Sequence, residues 1–140
     1  MNKKYVMVLD TETCPIDRSI MTVEPRNMLA YDIGFIVMDK KGNIIEKHSY
    51  VIEEIFFNEP IKMLSSYYAN KLPSYFRGLG KKWEIRKYLE VVEIFSNLVD
   101  KYHITDIYAY NMYFDYNVLK NTSKYLFEKP FFPKGTIIKC

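Results

Sequence analysis

Three acidic side chains carry the chemistry legible in this 140-residue sequence. Residues 5–13 read Tyr-Val-Met-Val-Leu-Asp-Thr-Glu-Thr, an apolar run that delivers Asp10 and Glu12 at its end. Strand side chains alternate between faces, so Asp10 and Glu12 point one way and Thr11 the other. Two carboxylates side by side on a rigid element repel each other unless a proton or a divalent cation neutralises them. Oxygen donors of this kind suit a hard metal. The third acid, Asp115, lies in Ala109-Tyr-Asn-Met-Tyr-Phe-Asp115, which places it in the first turn of a helix that begins where a strand ends. Asn111 and Asp115 are four apart and share a helical face. With that strand beside the first, Asp115 reaches the cation held by Asp10 and Glu12.

The elements that must position these acids emerge from periodicity. After the first strand, residues 14–27 read as a loop broken by Pro15 and Pro25. Residues 31–39 and 44–52 form a hairpin whose turn rests on Gly42 and Asn43, so the first three strands lie side by side. Pro60 opens a short helix through Tyr68, Pro73 breaks the next segment, and 78–82 is an exposed loop. Residues 83–102 show the clearest helical spacing, with Ile85, Leu89, Val92, Phe95 and Val99 facing inward. A strand over 106–110 leads to a helix over 112–127 that Asn111 caps and whose inward residues include Val118, Leu119 and Leu126. An extended piece, 135–140, ends the chain. The predicted class is α/β, a mixed sheet with helices against it, in one domain spanning 1–140.

Composition bounds the rest. Hydrophobic residues make up 49% and charged residues 26%, an ordinary globular balance, and the longest apolar runs are too short to span a bilayer. The expectation is a cytosolic protein with no membrane partner. Cys14 and Cys140 have neither the number nor the spacing of a disulfide framework or a zinc site. A net charge of +3 is compatible with phosphate ligands and decides nothing alone.

On these residues the chain resembles the DEDD superfamily of 3'-to-5' exonucleases, the proofreading type built on an RNase H-like fold. Asp10-Thr11-Glu12 matches the first motif of that family and Asn111-x-x-Phe114-Asp115 the second. Tyr31-Asp32-Ile33-Gly34, Asp39-Lys40-Lys41-Gly42 and Phe131-Phe132-Pro133 are similar to phage-borne members, which would make this a phage-encoded protein of a bacterial host cell. The resemblance implies two Mg²⁺ or Mn²⁺ ions, with Asp10 bridging them, Glu12 holding the first and Asp115 helping to place the second. It implies Thr11, Asn111 and Phe114 as substrate contacts and single-stranded DNA or RNA 3' ends as substrate. One departure stands out: the third motif, H-x4-D or Y-x3-D on a later helix, has no match, since residues 116–140 contain no Asp and one Glu, Glu128. His103 precedes Asp115 and cannot serve. The expectation is therefore a C-terminally truncated version, with weak or no cleavage. The competing expectation is a non-catalytic nucleic-acid-binding or protein-interaction module that kept the fold, with a homo-oligomer covering the face where a final helix would lie.

The remaining candidates each have a plainer reading. Phe114 beside a helix start is ordinarily core, and Asn111 is ordinarily a cap. Lys62, Lys71, Arg77, Lys81 and Lys82 interleave with Tyr67, Tyr68, Tyr75, Phe76 and Trp83, as in a single-strand groove or as in a solvated loop with buried rings. His48 is expected exposed and idle on the outer face of the hairpin, and Cys14 packed as a small residue. Asp32 stands near the acidic pair where the second strand flanks the first.

Overall fold

The computed structural model describes residues 4–20, 22–66, 69–78 and 84–140. Among them, six strands join one sheet in the order β4-β3-β2-β1-β5-β6. They are β1 (Tyr5–Pro15), β2 (Met28–Asp39), β3 (Ile44–Ile52), β4 (Glu84–Arg86), β5 (Asp106–Tyr108) and β6 (Ile137–Lys139). The first three run antiparallel, and β4, β5 and β6 each pair in parallel with their neighbours. Among the described residues five α-helices accompany the sheet: α1 (Glu53–Phe56), α2 (Pro60–Leu64), α3 (Leu72–Gly78), α4 (Tyr88–Lys101) and α5 (Met112–Tyr125). This is the mixed α/β class that the periodicity predicts.

The strands form where alternation is strongest. Along β1, Met7, Leu9 and Thr11 are buried, whereas Asp10 is exposed and Glu12 half-buried. A bulge between Glu12 and Thr13 shifts the register, and beyond it Cys14 turns inward. The strand thus runs two residues past the predicted end. The hairpin turn is closed by Asp39, whose carboxylate accepts the Lys41 and Asn43 backbone N–H groups at 2.9 Å each. Gly42 sits at φ +91°, a left-handed conformation that suits a residue without Cβ.

The helices depart from expectation in instructive ways. Helix α4 begins at Tyr88 rather than at 83, because Glu84–Arg86 pairs with Tyr50–Ile52 as an edge strand. Its start is fixed by carboxylates: Glu54 accepts the Tyr88 N–H at 2.9 Å and Glu90 the Lys87 N–H at 3.3 Å. Tyr88, Val91, Val92, Phe95, Leu98 and Val99 form its buried face, a stripe rotated slightly from the predicted one. Pro73 is the second residue of α3 and opens that helix instead of breaking it, since a first-turn N–H has no helical acceptor to lose. Helix α2 ends at Leu64. Helix α5 stops at Tyr125, where Phe127 takes φ 56° and the Glu128 N–H closes back on the Ser123 carbonyl at 2.8 Å. Of the predicted loop over 78–82, Gly78 instead ends α3 and is buried, and 79–82 lie outside the described residues. No helix among the described residues is long and apolar enough to cross a membrane.

Candidate functional site

The pairing of β1 with β2 sets Asp10 opposite Gly34 and Glu12 opposite Asp32. Paired residues of adjacent strands share a face, so Asp10, Glu12 and Asp32 stand on one side of the sheet. Together with Gly34, Ser49 and Tyr75 they line a pocket of about 160 Å³, with no Lys or Arg among the described residues of its wall. Tyr75 comes from α3, 43 residues away in sequence, and its hydroxyl donates to Asp32 Oδ2 at 2.7 Å. Asp32 is thus brought into the site beside the pair.

Asp115 approaches from the other side. It is 6% exposed, and the Thr11 hydroxyl donates to its Oδ1 at 2.7 Å. Because Thr11 alternates with Asp10 and Glu12, this bond ties α5 to the opposite face of β1. Helix α5 is seated by further buried bonds: the Thr122 hydroxyl accepts the Ala30 N–H at 3.0 Å and donates to the Val118 carbonyl at 2.8 Å. Asn121 Nδ2 donates to the Met28 carbonyl at 3.0 Å. The structure brings Asp10, Glu12 and Asp32 onto one pocket and bonds Asp115 to Thr11, the residue between the first two, near enough for the charge of Asp10 to act on it.

Beside the carboxylates runs a groove of about 960 Å³. Residues 10–13 and Phe114 line it together with Arg18, Ile20, Thr22 and Val23 of the following loop and Leu64 and Ser65 at the end of α2. The loop is shaped by Asn27, whose side chain accepts the Asp17 N–H at 2.9 Å and donates to the Asp17 carbonyl at 3.1 Å. Val23 and Leu64 are exposed apolar side chains at its edge. The groove therefore joins an acidic end to a wall of mixed apolar and polar side chains, a combination that suits a phosphate held through a cation and a base held by contact. Arg18, Ile20, Val23 and Leu64 carry no sequence signal of their own; they reach the groove only because the loop folds back onto α2.

The electrostatics reflect burial and crowding. Loss of solvent pushes the Asp32 carboxyl up to about 6, the Tyr75 hydroxyl opposes that rise, and the charge of Asp10 adds to it. Asp115 is raised chiefly by burial, with the Thr11 bond opposing and Asp10 again adding. The donor chemistry, carboxylate oxygens gathered in one pocket, fits a hard divalent ion. Among the described residues no three His, Cys, Asp or Glu side chains already stand so as to hold one. A cation here would rest on Asp10 and Glu12, with water and substrate oxygens completing its shell.

Other predicted residues find different roles. Asn111 occupies the N-cap of α5, but its side chain makes no capping bond at φ −125°, ψ 78°; its carbonyl instead accepts the Phe114 and Asp115 N–H groups at 3.0 and 3.2 Å. Phe114 is half-buried, packed on the core and lining the groove at once. Cys14 is buried and its thiol is pushed up to about 12 by desolvation, so it packs as a neutral group. His48 is neither exposed nor idle: it stacks on Phe35 and bridges Tyr50 and Glu46 at 2.7 and 3.0 Å. Of the basic and aromatic mixture, Lys62 pairs with Glu59 at 3.7 Å, Arg77 donates to Ser74 at 3.1 Å and Tyr75 faces Asp32. Tyr67, Tyr68, Lys81, Lys82 and Trp83 lie outside the described residues, as do the side chains of Lys71 and Phe76.

Neither a protein-family model nor a curated protein matches the chain. Solved structures do. Exonuclease I in its apo form matches with a TM-score of 0.54 and 16% identity, covering 99% of this chain and 29% of that one. E. coli exonuclease I in complex with a dA16 oligonucleotide gives 0.53 and 16%, covering 97% and 28%. Exonuclease I with the inhibitor BCBP gives 0.52 and 12%, covering 99% and 28%. At such identities the likeness establishes the fold, a mixed sheet flanked by helices of the RNase H-like kind. The chain spans less than a third of the length of these structures.

Proposed function

We propose that residues 1–140 form one nuclease domain that removes nucleotides from the 3' ends of single-stranded DNA with the help of divalent metal ions. The observation that carries this reading is the convergence of Asp10, Glu12 and Asp32 on one pocket, at the head of a groove whose walls mix apolar and polar side chains. The fold likeness to exonuclease I, which has been seen with single-stranded oligonucleotides, supports it. Fold alone does not specify an activity; the acidic tip is what argues for this one.

In this reading Asp10 and Glu12 hold Mg²⁺ or Mn²⁺, which when bound neutralises the scissile phosphate and lowers the pKa of a bound water. Asp115 acts through Thr11: its buried carboxylate fixes the Thr11 hydroxyl and with it the tip of β1. Asp32 adds a third negative charge to the pocket and is oriented by Tyr75. Phe114, with Leu64 and Val23, offers apolar surface to the terminal base. Asn111 lies exposed at the start of α5, where its side chain is open to a bound strand.

The test is release of mononucleotides from an end-labelled single strand in Mg²⁺ or Mn²⁺. Asp10→Asn and Glu12→Gln should each lower the rate by roughly 10³, the loss expected when several kcal/mol of metal-dependent transition-state stabilisation disappear. Unaltered cleavage by Asp10→Asn retires the assignment. A second reading, a module that binds single strands without turnover, is favoured by the lack of a ready three-residue ligand set among the described residues. Tight binding of the oligonucleotide with no metal-dependent release would select it.

A further inference from the structure

We propose that the outward face of α5 is a track for the sugar-phosphate backbone of the strand whose 3' end occupies the acidic groove, an inference that rests on the nuclease reading. Tyr113, Asn117, Lys120, Asn121 and Lys124 fall at i, i+4, i+7, i+8 and i+11, one stripe of the helix. With residues 24–26 they line a second depression, of about 460 Å³.

Charge decides what this depression suits. Arg26 is answered by Glu24 at 2.9 Å. Among the described residues neither Lys120 nor Lys124 takes part in an ion pair. Two like charges one helical turn apart repel, and an anion lying between them relieves that repulsion. Tyr113 is 73% exposed and presents a ring on which a base can stack. The floor is stiff, since the Asn117 and Asn121 amides are bonded to the Tyr113 and Met28 carbonyls at 2.7 and 3.0 Å.

Continuity ties this stripe to the acids. Val23 and Phe114 line the acidic groove, while their chain neighbours Glu24 and Tyr113 line the basic one. A strand leaving the acids therefore crosses residues 23–24 and 113–114 and meets the two lysines. An acidic protein segment would satisfy the lysines as well, but it would have no reason to continue into a pocket walled by carboxylates at the other end.

The experiment measures polarisation of labelled oligodeoxythymidines of about four and about sixteen nucleotides, in EDTA to prevent turnover. Wild-type protein should favour the longer strand by on the order of tenfold, and Lys120→Ala/Lys124→Ala should erase most of that ratio. The slope of log affinity against log salt for the longer strand should become shallower by about 1.4, the value for two phosphate contacts on a single strand. Tyr113→Ala should weaken the longer strand about tenfold with no change in slope, as loss of one stacked base predicts. Both variants change exposed side chains, and circular dichroism checks that they fold. A double variant that keeps the length ratio and the salt slope overturns the track. The nuclease reading then survives if nucleotide release still depends on Asp10. Absence of both oligonucleotide binding and nucleotide release by wild-type protein overturns both. Displacement of the longer strand by polyglutamate as readily as by unlabelled strand also overturns the track, because the surface then attracts any polyanion.

Discussion

Two carboxylates on the same hairpin have been driven in opposite directions. Glu46, on β3, accepts bonds from the Tyr102 hydroxyl, from His48 at 3.0 Å and from Lys101 at 3.1 Å, and these partners hold its carboxyl down at about 2. A carboxylate can only accept, so His48 Nε2 carries the proton toward Glu46, while Nδ1 shares its bond with the Tyr50 hydroxyl. Asp32, on β2, loses solvent, receives the Tyr75 bond, faces Asp10 and rises to about 6. The first carboxylate is answered within the chain and serves the scaffold. The second meets no cationic partner among the described residues, and a carboxyl perturbed in this way is a candidate for a functional site.

The widest separation between the two regions should appear in activity. Under the proposed function Asp10→Asn should lower nucleotide release by roughly 10³, whereas Glu46→Gln should stay within about twofold of wild type at a temperature where both are folded. Equal losses in a single-turnover assay would erase the distinction between scaffold and site.

Asp32→Asn comes next, with a sign set by linkage. Between its ordinary value of 3.8 and about 6, Asp32 keeps a proton in the folded protein that the unfolded chain releases, so the carboxyl's penalty is absent below 3.8, grows as pH rises and is complete above 6. In metal-free buffer the variant should therefore gain about 2 to 3 kcal/mol at neutral pH and nothing in acid. Urea titrations across that range check it, and a gain that persists in acid would point to packing instead of charge.

Glu46→Gln has the reverse profile and a smaller amplitude. Its stabilisation is complete above the ordinary 4.5 and fades as pH falls through about 2. After allowance for its partial exposure, the substitution should cost about 1 to 2 kcal/mol at neutral pH and converge on wild type in strong acid, which urea titrations at the two pH extremes would show. The smallest effect is stabilisation by Mg²⁺. At tenfold over its Kd the ion should raise stability by about 1.4 kcal/mol, and Asp10→Asn should abolish that gain in a thermal melt.

Legibility in the sequence differs from residue to residue. The facing of Asp10 and Glu12 is legible because strand alternation is a local rule, and the place of Asp115 is legible because helix starts have local signals. Asp32 depends on the β1–β2 register, and that register is a property of two strands together. Tyr75 is beyond reach, since a contact over 43 residues leaves no trace in spacing. The Glu46 cluster does carry a signal, one that an expectation of an idle His48 overlooks: Glu46, His48 and Tyr50 alternate along one strand and so share a face. Three-residue β4 carries none, and its residues read as the beginning of α4.

The bulge after Glu12 has a lasting consequence for how this chain can vary. Upstream of it, odd-numbered positions of β1 turn inward; downstream, Cys14 does. Loss or gain of one codon between Tyr5 and Glu12 would rotate the acids into the interior and turn apolar side chains out to water. The same change just past Thr13 could be absorbed by moving the irregularity. Descendants of this sequence should accordingly tolerate length drift on one side of the kink and almost none on the other.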